Sequence, residues 1–204
     1  MTRRAALMLA LLAVGCAAHR RAPAQYDLDS VGTPAAPNTR LHASIVIPAV
    51  STPSWLRTTA LIYRLDYATP SRLQSYTLSQ WTAPPAELLT QRLRQQISAA
   101  NSAVTLRSMA SGMEGYRLDV TLEQFVQVFA SAHSSRCLVT LSATLTALRT
   151  QRALAQRSFH SEQPAPSSDA AGAVYGLTLA SDACLQQIVL WLQSTVTSAA
   201  SSQP

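Results

Sequence analysis

Tyr116-Arg-Leu-Asp-Val-Thr-Leu-Glu-Gln-Phe-Val-Gln-Val-Phe129 decides the fold. Tyr116, Leu118, Val120 and Leu122 alternate with Arg117, Asp119 and Thr121, the period-two pattern of a half-buried strand. Phe125, Val126, Val128 and Phe129 break that alternation, which predicts a β-bulge near Gln124. Ala132-His-Ser-Ser135 reads as a turn. Cys137 to Leu148 then sets Cys137, Val139, Leu141, Ala143 and Leu145 against Leu138, Thr140, Ser142 and Thr144, and Ala153 to His160 returns as a further strand. The three runs form a meander.

Upstream, Leu41 to Val50 alternates as a strand that ends at Pro48, and Pro53-Ser-Trp55-Leu-Arg57 is a loop with one large aromatic. Ala60 to Tyr67 and Leu73 to Leu78, joined by Ala68-Thr-Pro70-Ser, read as a hairpin. Trp81-Thr-Ala-Pro84-Pro85 stops the sheet, and a helix is expected over 85–101. Proline suits its first turn, Glu87 complements the positive end of the dipole, and Leu89, Leu93 and Ile97 form an apolar stripe. Arg92, Arg94 and Gln95 are expected to face water. Val104 to Arg107 is a short strand and Ser108 to Gly115 a loop. Downstream, Ser161 to Ser168 is a loop from which Ser167 or Ser168 caps a helix over 169–198. Val174, Leu177, Cys184, Ile188 and Leu192 mark its apolar side. Strands, helix, strands, helix predict an α+β domain: a largely antiparallel sheet with two main helices packed on it.

The first residues are of another kind. Arg3 and Arg4 precede an apolar run, Ala5 to Val14, which is too short to span a bilayer and ends among small residues at Gly15-Cys16. Leu-Ala-Val-Gly-Cys16 resembles the lipobox of bacterial lipoproteins. That resemblance implies cleavage before Cys16 and acylation, palmitate included, at that residue. An ordinary export signal with a chance cysteine is the alternative. Ala17, rather than aspartate, follows the cysteine. By resemblance to the enterobacterial sorting rule this favours the periplasmic face of the outer membrane. The expected organisation is a leader over 1–15, an acylated N-terminus and flexible tether over 16–40, a domain over 41–198 and a disordered tail over 199–204. Within the tether, Tyr26-Asp-Leu28 is the first stretch expected to touch the domain.

The chain is 48% hydrophobic and only 13% charged, so its surface relies on Ser, Thr, Gln and Asn. All sixteen basic residues are arginine, and removal of Arg3 and Arg4 leaves fourteen against ten carboxylates, a balance of +4. The arginines are scattered, without the basic stripe or interleaved aromatics of a nucleic-acid surface. Cys137 and Cys184 are an even pair in an oxidising compartment, which suggests a disulfide; two buried free thiols are the alternative. No spacing suits a metal, and no hydrolase or phosphate-loop motif occurs. His19, His42, His133 and His160 fall in the tether, at strand ends and in a turn, with no base–orienter pair visible. Asp119 and Glu123 would share a face only without the bulge. Neither catalysis nor a cofactor is expected. Of the three tryptophans, Trp191 and Trp81 read as core, and Trp55 as the exposed contact.

Several short stretches then fall into a recognisable order: the lipobox, Tyr26-Asp-Leu28, Ile45-Val-Ile-Pro48, Leu56-Arg-Thr-Thr-Ala-Leu-Ile-Tyr63-Arg64, Trp81-Thr-Ala-Pro84-Pro85-Ala-Glu-Leu88, long strands and an alanine-rich last helix. The order resembles the ABC-type transport auxiliary lipoproteins, the group that includes the PqiC-like lipoproteins. The chain departs from that pattern at Ile47-Pro48 and at Trp55-Leu-Arg57. The resemblance implies a non-enzymatic role beside a permease, an ATPase and an MCE-domain protein in moving lipids between two membranes. It also implies an outer-membrane location and a homo-oligomer. Trp55 and Arg57 are the partner-contact candidates. A structural or assembly lipoprotein of another envelope machine is one alternative, and a periplasmic hydrolase is the other.

Overall fold

The structure, a computed structural model, describes residues 22–28, 41, 43–100, 105–106 and 115–201. The leader, Cys16, most of the tether and the last three residues lie outside them. Eight strands form one sheet among the described residues. In chain order the elements are β1 (Ala24–Tyr26), β2 (Ile45–Val46), β3 (Ala60–Leu65), β4 (Leu73–Trp81), α1 (Pro85–Ala100), β5 (Thr105–Leu106), β6 (Tyr116–Ser131), β7 (Ser134–Ala147), β8 (Arg152–Pro164) and α2 (Ala170–Ser201).

β6 is the organising strand. One edge pairs antiparallel with β7 from Tyr116↔Ala147 to Ser131↔Ser134, and β8 continues the meander. The register shifts between Leu122 and Gln124, where the loss of alternation predicts the bulge. The other edge of β6 is lined in ascending order by β2, by Ser51 opposite Thr121, and by β3, all parallel to it. β1 is parallel to β4, and β2 to β5. The α+β class therefore holds, but the sheet is mixed rather than largely antiparallel. The physical reason lies in the connection. The chain leaves β3, turns back through β4 and crosses by α1 before β6, so β3 and β6 run the same way.

One expected strand shrinks. The 41–50 strand is reduced to β2, because Ile47 and Val50 pair with α1 instead. Arg94 donates to the Ile47 carbonyl from Nε and Nη2 at 3.0 and 2.8 Å, and Val50 N–H donates to Thr90 Oγ1 at 2.8 Å. Of the expected 104–107 strand, Thr105–Leu106 forms β5, and residues 104 and 107 lie outside the described residues. The hairpin 60–78 and α1 lie where expected. The last helix, expected over 169–198, runs from Ala170 to Ser201. Neither serine caps it. Asp169 does: its Oδ1 accepts from Gly172 N–H at 2.8 Å and from Ser167 Oγ at 2.7 Å, and both bonds hold its carboxyl below the usual range.

The core lies between the sheet and the two helices. Leu122, Leu141 and Phe159 are register partners across β6, β7 and β8, all buried beneath α2, and Phe159 meets Trp191 edge-on at 5.7 Å. α1 buries Leu89, Leu93 and Ile97 beside α2. α2 is long and apolar enough to cross a membrane, yet 56% of its apolar window is buried inside the domain, as in a core helix.

The cysteines sit in this layer, and the expected disulfide between them is absent. Cys137 and Cys184 are buried free thiols. Cys137 Sγ donates to the Ala173 carbonyl at 3.5 Å and Cys184 Sγ to the Val139 carbonyl at 3.6 Å. Cys137 packs against Gly176, eight positions before Cys184, and eight helical positions are about 12 Å of rise. Cys137 therefore meets α2 about two turns before the turn that carries Cys184. Burial pushes both up to about 12 from an ordinary 9.0.

Two measurements follow. In a Cys16→Ser chain, iodoacetamide should leave the native protein unlabelled and add two adducts in urea without reductant; a disulfide would leave the unfolded chain unlabelled. The folded thiols keep their protons where unfolded ones have lost them, so stability should fall as pH rises from about 9 toward about 12. Separately, a Cβ at Gly176 would lie 2.6 Å from Cys137 Sγ. Gly176→Ala should cost about 1–3 kcal/mol in urea unfolding, and less in a Cys137→Ala background, where the obstructing atom is gone.

Candidate functional site

The exposed aromatic loop arises from a length mismatch. Ser51 and Tyr63 are twelve residues apart, whereas their partners Thr121 and Gln127 are six apart. The surplus leaves the sheet as the stretch 52–59, which contains a 3-10 turn over Ser54–Leu56. Its base is tied to β6. Ser51 N–H donates to the Val120 carbonyl at 2.9 Å, Leu122 N–H to the Ser51 carbonyl at 2.8 Å, and Thr52 Oγ1 to the Leu122 carbonyl at 3.2 Å. Inside the turn, Arg57 N–H closes on the Ser54 carbonyl at 3.1 Å and Arg57 Nε reaches the Thr52 carbonyl at 3.4 Å. Leu56 is buried and pins the turn to the core. Trp55, on one side of it, is 40% exposed, and Arg57 on the other is exposed too. A tryptophan and an arginine are thus presented together on a braced loop. Such residues dominate protein contacts when they become desolvated.

The other two tryptophans are core. Trp81 ends β4 and meets Phe125 edge-on at 5.5 Å, and Trp191 is packed on Phe159.

A second feature escaped the pattern of the sequence. Arg92, expected at the surface, is buried. Its Nη1 donates to the Leu28 carbonyl at 2.7 Å and its Nη2 pairs with Asp182 of α2. Leu28 is itself buried in the core, and Thr82 N–H donates to the Tyr26 carbonyl at 2.8 Å. The stretch 24–28 is therefore fastened to β4 and α1, and through Arg92 to Asp182 of α2. Burial pushes the Asp182 carboxyl up, against the pull of Arg92. The legible signal was the position of Arg92 three residues after Leu89, inside the apolar stripe.

Nothing among the described residues gathers a catalytic or metal set. No group of three His, Cys, Asp or Glu side chains there could hold a metal ion. Asp119 is paired with Arg117 at 2.8 Å, and Glu123 sits exposed at the bulge, so the two do not form a dyad. His160 Nδ1 contacts Thr140 Oγ1 at 3.1 Å, and His133 is in an exposed turn. A cavity of about 260 Å³ is lined by Ala130, Ser134, Ser135, Arg136, Glu162 and Pro164. It is smaller than ordinary ligand sites and its charged groups pair with each other at 3.0 Å, so it does not suit an acyl chain.

The comparisons with known proteins agree with this layout. The family model described as ABC-type transport auxiliary lipoprotein component matches residues 26–189, from β1 well into α2. The chain belongs to that family. The auxiliary lipoprotein also shares its fold with a Xanthomonas campestris protein of the DUF330 family. The TM-score is 0.76 and the identity 20%, over 87% of this chain and 99% of the other. A second solved structure, titled an uncharacterized protein, has a TM-score of 0.63 and 14% identity, over 84% and 99% of the two chains. These structures establish the fold alone. Curated proteins give no significant match.

The Arg92 clasp is open to direct measurement. Arg92→Met leaves Asp182 and the Leu28 carbonyl without their partner and should cost about 3 kcal/mol in urea unfolding, as expected for breaking a largely buried pair. Arg92→Met with Asp182→Leu should recover part of that loss. A double variant as unstable as the sum of the singles would show that the two residues are not coupled.

Proposed function

We propose that this auxiliary lipoprotein is the outer-membrane, non-enzymatic component of an MCE-associated system that moves lipids between the two membranes. In this reading Cys16 carries the acyl chains, and the domain stands on the periplasmic face. ATP is hydrolysed by the partner ATPase, while a permease and an MCE-domain protein handle the cargo. The observation that carries the reading is the braced Trp55–Arg57 loop on a chain of an ABC-transport auxiliary family. It offers a contact surface for a partner. The outer edge of the 13-residue β8 has no strand partner among the described residues, which supports self-association of the lipoprotein as well.

The test combines anchor and loop. A palmitate analogue should label the wild type in cells, and Cys16→Ser should abolish the label. Affinity purification from envelopes in mild detergent should recover an MCE-domain partner. Trp55→Ala should weaken that association about thirtyfold, the equivalent of about 2 kcal/mol, with circular dichroism unchanged. Recovery only of components of an unrelated envelope machine would sink the transport reading in favour of an assembly lipoprotein.

A further inference from the structure

We infer that the tip of the β3–β4 hairpin, with Tyr67 and Leu73 at its end and Leu78 behind them, rests on the bilayer that holds the Cys16 acyl chains. The inference depends on the acylation of Cys16 proposed above. It follows from where the chain joins the domain, from the direction in which it arrives, and from what the tip exposes.

β1 begins at Ala24, eight residues after Cys16. Eight residues reach at most about 27 Å. The junction is firm, because the Tyr26 and Leu28 carbonyls are both held, the second by Arg92, and Leu28 is buried. The anchor therefore cannot draw further from the domain by peeling a slack tether. β1 is parallel to β4, with Ala24 opposite Ser79. Its N-terminal end points back along β4 toward Leu73 and the hairpin tip. Six residues separate Ser79 from Leu73, roughly 20 Å of strand. Along that line a reach of about 27 Å leaves the anchor at most a few ångströms beyond the tip. If the domain leans over, Leu78, next to the junction, meets the surface as well.

The side chains suit that position. Tyr67 is 53% exposed, Leu73 42% and Leu78 56%. Leu78 lies in the stretch of β4 between Ser75 and Gln80 that outnumbers its β3 partners and bulges from the ladder. A tyrosine with its hydroxyl in the headgroups and its ring below is at home at a membrane interface. Arg72 between Tyr67 and Leu73 is exposed and favours anionic lipid. Asp66, the acidic residue of the tip, is already paired with Arg64 at 2.6 Å and lies 3.9 Å from Arg136, so it presents little bare negative charge. Ala68 N–H and Thr69 N–H both close on the Leu65 carbonyl, which holds the turn in shape. The Trp55 loop is at the opposite end of β3, away from the bilayer, where a periplasmic partner can reach it.

The experiment places a polarity-sensitive fluorophore on single cysteines in the acylated full chain: Tyr67→Cys, Leu73→Cys and, as control, Leu154→Cys on β8. The native thiols are buried and do not compete for label. The proteins are reconstituted in phosphatidylethanolamine–phosphatidylglycerol vesicles containing a spin-labelled lipid that quenches at the interface. Quenching at 67 and 73 should be about threefold or more deeper than at 154, since interfacial groups sit within about 5–10 Å of the acyl boundary. Leu78→Cys should show an intermediate effect. Quenching at 67 and 73 no deeper than at 154, in protein that co-floats with vesicles, overturns the inference and leaves the anchor standing. A chain that carries no acyl group and does not float overturns both. A blue shift at 67 and 73 without lipid quenching assigns the tip to a protein neighbour and overturns the inference too.

Discussion

The length of β6 is the constraint on which the rest of this domain depends. A strand of 16 residues has two long rows of backbone donors and acceptors, and both must be satisfied. β7 satisfies one row in a single antiparallel sweep. No single element satisfies the other: β2, Ser51 and β3 share it, each in parallel. Sharing an edge among segments leaves chain over between them, and that surplus becomes the Trp55 loop. The bulge at Leu122–Gln124 lies between the Thr121 and Gln127 pairings on that edge. The loop that presents Trp55 is therefore a product of how β6 is paired.

The helical layer meets a different limit, which is closeness of approach. α2 lies so near β7 that Gly176 faces Cys137 with no room for a methyl group, and the Cys137 thiol hydrogen-bonds back to the helix. Such packing leaves the thiols inert and the long helix committed to the core. α1 is joined to α2 by a charged contact, Arg92 with Asp182, which costs desolvation and returns specificity of position: it fixes where the first residues of the domain dock.

Much of the fold was legible in the sequence. The break in alternation around Glu123 marks the bulge, because a two-residue period tolerates no insertion without changing face. Pro85, Glu87 and the Leu89–Leu93–Ile97 stripe mark α1 to within a residue of its observed end. What alternation cannot say is which strand lies beside which, so the parallel pairing of β3 with β6 was invisible and the sheet read as antiparallel. The role of Arg92 was hidden by the default that charges face water, although its place in the stripe pointed inward. The disulfide failed because pairing depends on distance, and Cys137 meets α2 at Gly176, about two turns before Cys184. Trp55 was legible as exposed, since a proline loop between strands has little core to offer it.

The parallel docking of β1 on β4 has a mechanical side. A pull from an N-terminal anchor would run close to the axis of β1, across its hydrogen bonds to β4 rather than along them. Bonds placed in that way share a force and yield together, whereas a strand lifted from its end yields one bond at a time. Three paired residues would be a weak joint under peeling, but in shear, with Leu28 as a buried stop and the Arg92 guanidinium behind it, they make a joint suited to the anchor proposed for this domain.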